Sequence, residues 1–200
     1  MNITLCTDLD RTLIPNGLQE KDPQAIPLLH ELTQQKNITL IYVSGRDKKL
    51  VLDAISEYEL PVPQYAITDV GTRIYSIHSD ETPSKTESAS LWKEDQNWKQ
   101  YLQKGWDEQK LLAVKDQIDA FSYLQLQEPE KQTVIKLSYY LDSEYLESDV
   151  EHKVKDICQQ QGLKSNLIKS HDETTDTGLL DIIHANASKY HAIRFLMDKY

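Results

Sequence analysis

Cysteine is scarce in this chain. Cys6 and Cys158 are the only two in 200 residues, and they stand far apart. Cys6 lies in an apolar run and Cys158 on a helical pattern, so two buried free thiols are the simple reading, with a disulfide or a metal site as the alternatives. Long apolar runs are also missing: none approaches the roughly 18 residues of a membrane span. The start, MNITLCTDLD, has no basic segment followed by an apolar stretch, so it does not read as a signal peptide. A reducing cytoplasm is the expected setting. Net positive charge is absent as well, since 32 acidic residues outweigh 22 basic ones for a formal charge of −10. Such a surface repels nucleic acid and anionic lipid, and neither is expected as a partner. A phosphate-bearing small molecule is not excluded, because a local basic pocket can coexist with a negative average. There is no internal repeat and no low-complexity segment. Nothing in the composition bears on the oligomeric state.

What is present is an alternation of strand and helix signals. Residues 3–8 read as a strand, followed by turn chemistry at Pro15, Asn16 and Gly17. Residues 23–36 read as a helix, with Asp22 to cap it, Pro23 in its first turn, and Ile26, Leu29 and Leu32 on one face. Residues 38–43 form a strand apolar but for Thr39. Residues 47–58 form a helix with Leu50, Val51, Ala54 and Ile55 inward, and 65–68 a short third strand. Strands spaced by helices imply βαβ units and a buried parallel sheet, a Rossmann-like α/β core.

After Tyr75 the character changes. Residues 76–90 are polar, contain Pro83, and read as a loop. All three tryptophans fall within 91–106. Leu111, Val114, Ile118 and Phe121 share a helical face. Residues 133–141 read as a strand, and Leu146, Val150, Val154 and Ile157 mark a helix ended by Gly162. Residues 163–169 and 179–183 read as strands and 188–199 as a closing helix. The expected division is a core of residues 1–75 and 177–200, with an α+β insert at 76–176.

Two acids, Asp8 and Asp10, follow the first strand, in Asp8-Leu9-Asp10-Arg11-Thr12. Ligand sites of open parallel sheets lie beyond the carboxyl ends of the strands, so the two carboxylates can converge on one ligand there; a turn carrying two solvated acids is the plainer alternative. Ser44, Gly45 and Arg46 end the second strand and precede a helix, where a hydroxyl and backbone N–H groups suit a phosphate oxygen. Lys189 opens the last helix, a place unfavourable for a cation on helix-dipole grounds; it has another task or is a plain surface lysine. Along 133–141, Ile135, Leu137, Tyr139 and Leu141 share one face and Lys136, Ser138 and Tyr140 the other. That second face either meets a ligand or lies in solvent. Trp92, Trp98, Tyr101 and Trp106 either stack on sugar rings or pack the insert.

The Asp-x-Asp-x-Thr motif after an apolar strand, the later Ser-Gly-Arg and the lysine after a further strand resemble the haloacid-dehalogenase superfamily of phosphatases. Arg11, the stretch at 67–75 (ITDVGTRIY) and the stretch at 136–142 (KLSYYLD) resemble its sucrose-phosphate phosphatase branch, which carries an α/β cap of the C2 type. Histidine at 184 and tyrosine at 190 depart from the proline and glycine common there. The resemblance implies the following roles. Asp8 is the nucleophile and is transiently phosphorylated. Asp10 is the general acid and base. Ser44 holds the transferring phosphoryl group and Lys189 balances charge. Thr12, Gly45 and Arg46 contact substrate; the alternation along 133–141, not the resemblance, adds Lys136 and Tyr140 of the insert as candidate substrate contacts. Mg2+ binds at Asp8 and Asp10, and the substrate is a sugar phosphate. A fourth motif, Gly-Asp-x-x-x-Asp on a strand beside the first one, is not found in these 200 residues. The other expectation is therefore a phosphosugar-binding or regulatory domain without turnover.

Overall fold

The computed structural model describes residues 2–15, 20, 22–77 and 91–199. Asn16 and Gly17 of the expected turn, and the polar stretch from 78 to 90, lie outside the described residues. The chain divides into two compact units, Met1–Lys99 with Ser188–Tyr200, and Gln100–Ala187.

The first unit opens with β1 (Ile3–Thr7), α1 (Ala25–Thr33), β2 (Ile38–Val43), α2 (Lys48–Glu57) and β3 (Tyr65–Thr68). These three strands are parallel, with Cys6 opposite Ile41 and Val43 opposite Ile67. Then β4 (Arg73–Ile77) and β5 (Trp92–Glu94) extend the sheet antiparallel, in the order β1-β2-β3-β4-β5. Every residue of β2 is buried except Thr39, which is half-buried. Such a run is what a strand covered on both faces requires. Asp47 is extended and its carboxylate takes Leu50 N–H at 2.9 Å, which starts α2 and turns Val51 and Ala54 inward. The start of α1 is looser. Asp22 Oδ1 takes Gln24 N–H at 2.8 Å rather than an amide inside the helix, and Pro27 falls in the first turn, where its missing N–H costs little. The core gathers Leu9, Ile14, Leu40, Tyr42, Val51 and Trp92 among others. Buried Tyr42 satisfies its hydroxyl by donating to Pro61 O at 2.7 Å, and burial pushes its pKa up.

Here α3 (Gln96–Gln103) begins, and the second unit follows within it. That unit contains α4 (Glu108–Ile118), β6 (Leu124–Leu126), β7 (Lys136–Leu141), α5 (Val150–Gln160), β8 (Ser165–Asp172) and β9 (Thr177–His184). Its sheet is antiparallel throughout, in the order β6-β7-β9-β8. Leu137, Tyr139 and Leu141 of β7 join Leu180 and Ile182 of β9 in a core closed by Leu111 and Val114 of α4 and Val150 and Val154 of α5. The alternation along β7 is thus borne out on its apolar face. The chain returns to the first unit in α6 (Lys189–Lys199).

Besides the cap expected at Asp22, three sequence expectations are corrected. The divisions fall at 99/100 and 187/188, not at 75/76 and 176/177. Residues 73–77 and 92–94 lengthen the first sheet, and β9 pairs along its full length with β8 and from Gly178 to Ile183 with β7. Cys6 is exposed while Cys158 is buried, and both thiols are free. The reason for Cys6 is that β1 is an edge strand among the described residues, with Ile3, Thr4 and Cys6 exposed. The tryptophans do not form one cluster either. Trp92 and Trp98 are buried in the first unit, and half-buried Trp106 lies on His184 in the second, its Nε1 donating to Val134 O at 2.6 Å. Among the described residues, no helix is long and apolar enough to cross a membrane.

Candidate active site

The carboxyl ends of β1, β2 and β3 bring the expected residues of the first unit together. Asp8 follows β1 directly. Leu9, fully buried, anchors the turn: its carbonyl accepts from the backbone N–H groups of Thr12, Leu13 and Ile14, while its own N–H donates to Asp8 Oδ1 at 2.8 Å. Arg11 takes a left-handed conformation with φ 57°, which lets the chain reverse here. The other carboxylate oxygen, Asp8 Oδ2, accepts from Lys189 Nζ at 2.6 Å. The cation that is awkward for the start of α6 is thus spent on a carboxylate.

Asp10 is held by a different cation. Arg46 donates through Nη2 to Oδ1 at 2.7 Å and through Nε to Oδ2 at 3.0 Å, a forked contact that a lysine could not make. Hydrogen bonding to Asp10 is the leading cause that raises the Arg46 pKa. The pair is three-quarters shielded, with side chains 24% and 29% exposed. Two carboxylates two residues apart are therefore each balanced by a cation from a distant element.

Ser44 is fully buried at the end of β2. Its N–H donates to Ile67 O at 2.9 Å, and its Oγ accepts Arg46 N–H at 3.1 Å, which leaves the hydroxyl proton for another acceptor. Gly45 is exposed, and nothing lies within 4 Å of where a Cβ would stand. Thr12 is exposed in the turn after Asp10.

Lys136 and Tyr140 belong to the second unit. Lys136 is buried, with Nζ 3.9 Å from Asp181 Oδ1, the same oxygen that accepts from Ser138 Oγ at 2.5 Å. Tyr140 donates to the Glu128 carboxylate at 2.9 Å. The turn Asp69–Gly71 joins β3 to β4 and touches the site from below: Asp69 N–H donates to Arg46 O at 2.9 Å and Val70 N–H to Ser44 O at 3.3 Å. Sequence reading gave this turn no role. Its glycine, inside an otherwise strand-like stretch, was the available signal.

Among the described residues, no group of three or more His, Cys, Asp or Glu side chains is arranged to hold a metal ion. The chemistry of the pair at Asp8 and Asp10 still fits Mg2+. That hard cation takes oxygen ligands and is commonly bound through one or two carboxylates, with water and substrate phosphate completing its shell.

Comparison with known proteins identifies the family and the fold. A family model described as sucrose-6F-phosphate phosphohydrolase matches residues 1–200. A protein of Nitrosococcus oceani described as a HAD-like hydrolase is 42% identical over 197 residues, covering 98% of this chain and 50% of its own length. The chain therefore spans about half the length of that curated relative. The crystal structure of the sucrose-phosphatase of Synechocystis, in complex with sucrose and phosphate, superposes with a TM-score of 0.76 at 25% identity, over 100% of this chain and 71% of that one. A haloacid dehalogenase-like hydrolase of Bacillus subtilis shares the fold, with a TM-score of 0.61 at 18% identity, covering 100% of this chain and 70% of its own. A family match over the whole chain, on a fold that puts an Asp-x-Asp turn, a serine and a lysine at one end of a parallel sheet, has one meaning: this chain belongs to the sucrose-phosphatase family of the haloacid-dehalogenase superfamily.

Proposed function

We propose that the protein carrying this chain hydrolyses the phosphomonoester of a sugar, with sucrose 6-phosphate as the substrate. The observation that carries the proposal is the 2.6 Å contact of Lys189 with Asp8, beside the Arg46–Asp10 pair and Ser44. The sugar rests on the family match and on the sucrose and phosphate bound by the Synechocystis relative.

In this reading Asp8 attacks phosphorus. An Asp8 O–P bond forms as the sugar O–P bond breaks, and the leaving oxygen takes a proton from Asp10. Asp10 then takes a proton from water, which attacks the phosphoryl group and frees Asp8. Lys189 offsets the charge that gathers around Asp8, and Ser44 donates its hydroxyl to a phosphoryl oxygen. Arg46 must loosen its fork for Asp10 to exchange protons, and it is then free to meet the substrate. Thr12 and Gly45 border the same space. Mg2+ at Asp8 and Asp10, as the family generally uses it, would offset repulsion between carboxylate and phosphate. Lys136 and Tyr140 are proposed as contacts to the sugar. The proposed setting is the cytoplasm, in keeping with two free thiols, one of them exposed.

The test is Asp8→Asn, a near-isosteric change. Phosphate release from sucrose 6-phosphate should fall more than about a thousandfold, roughly 4 kcal/mol of barrier, with the circular dichroism spectrum unchanged. A variant keeping more than about a tenth of the rate, some 1.4 kcal/mol, excludes Asp8 as nucleophile. A wild-type protein that binds the sugar phosphate and never releases phosphate would instead be a binding domain.

A further inference from the structure

Lys189 reaches Asp8 from the first turn of α6, so the position of its ammonium depends on what fixes that helix start. Three observations within the first unit converge there. Gly71 has φ 96°, and a Cβ on it would stand 2.2 Å from Ser188 C, 2.4 Å from Ser188 O and 2.6 Å from Lys189 N. This is backbone against backbone, with no side chain able to swing aside. Next, Trp98 Nε1 donates to Gly71 O at 3.2 Å, while its ring lies on Phe195 of α6 with centroids 5.0 Å apart. Finally, the same turn holds the Ser44-Gly45-Arg46 stretch through Arg46 O and Ser44 O. Asp69 and Val70 are left-handed too, at φ 51° and 62°. A run of such residues, a β-branched one among them, persists only where its surroundings over-determine it.

We propose that the turn Asp69–Gly71 is a positioning strut. It sets Lys189 against Asp8 and ties that contact to Ser44 and Arg46. Gly71 is the residue that permits the close approach, and Trp98 braces it. None of the three turn residues needs to touch substrate. The proposal rests on the reading of Asp8 and Lys189 given above.

A double-mutant cycle separates positioning from mere packing, because residues acting through one another are not additive. Gly71→Ala, Lys189→Ala and the pair are assayed for phosphate release well below their melting temperatures. Gly71→Ala should lower kcat about tenfold or more, with KM changed less than about twofold, since a displaced charge hurts the reaction more than binding. In the Lys189→Ala background the same change should cost less than about twofold. Equal losses in both backgrounds, no loss in either, or a rise in KM alone overturns the strut. If Lys189→Ala itself keeps the wild-type rate, the reading of the site fails, and the strut with it. If Gly71→Ala does not fold, Trp98→Phe replaces it in the cycle, since phenylalanine keeps a ring beside Phe195 while losing the N–H to Gly71 O and part of the buried ring volume. That variant should lose about threefold in kcat in the presence of Lys189 and nothing in its absence. No loss, or an equal loss in both, overturns the proposal. A crystal structure gives a readout without turnover: the 2.6 Å contact of Lys189 Nζ with Asp8 Oδ2 should open beyond hydrogen-bond reach in the folded variant. An unchanged distance overturns the strut whatever the rates.

Discussion

Arg46 carries two duties that pull in opposite directions. Its fork on Asp10 gives strong, directional hydrogen bonds, yet Asp10 must be released to move protons. Arg46→Lys keeps the charge and loses the fork. Because the pair is only partly shielded, the change should cost about 1 kcal/mol of stability, a drop of about 2–4 °C in Tm, read by thermal unfolding. His184 is a second informative residue. It is buried, its Nδ1 accepts Asn186 N–H at 3.0 Å, and burial lowers its pKa. A histidine depressed in the fold contributes stability that is present above its ordinary value of about 6.5 and lost as pH falls through the lowered one. Unfolding in urea at steps from about pH 7 to pH 5 should show that loss, and His184→Gln should flatten this part of the curve. An unchanged slope would mean that other groups set the acid limit.

At the scale of elements, β7 and β9 carry the second unit. Their apolar faces meet α4 and α5, and the pairing sets Leu141 opposite Gly178. A Cβ at Gly178 would stand 2.9 Å from both Leu141 Cβ and Leu141 O, and 3.0 Å from Leu146 Cδ2. The backbone atom cannot retreat without bending the ladder. Gly178→Ala should therefore destabilise by about 1–3 kcal/mol, despite the better strand propensity of alanine. Chemical denaturation measures it, and a neutral result would show that the β7–β9 pair can shift by several tenths of an ångström at no cost. The open edge of β1 is the opposite case, since its backbone groups face no strand among the described residues.

On the scale of the whole molecule, each unit has its own apolar core, while the Lys189–Asp8 and Arg46–Asp10 pairs gather at the strand ends of the first. With Ile3 and Cys6 exposed on an edge strand, residues 1–200 produced alone should associate through that edge. They should also release phosphate poorly, because among the described residues no third acidic side chain joins Asp8 and Asp10 in a group arranged to hold a metal ion. The comparison is with a longer chain in which a Gly-Asp-x-x-x-Asp strand follows residue 200. Solution mass and Mg2+-dependent phosphate release are the measurements. If the short chain is monomeric and as active as the long one, the added acidic strand is not needed.

Local chemistry determined much of this protein. The apolar run of β2, the period along β7 and the places of Asp8, Asp10, Ser44 and Lys189 at element ends are encoded by residues a few positions apart, and all were legible in the chain. Which sheet β9 joins was not, because a strand's own alternation names its buried face and not its neighbour. Nor was the parting of Trp92 and Trp98 from Trp106, since aromatic residues close in sequence can enter different cores. Arg46 on Asp10, and Gly71 against Ser188, depend on segments far apart in the chain. Only the folded backbone brings such segments within reach, which is why tertiary structure alone decided how the site is held.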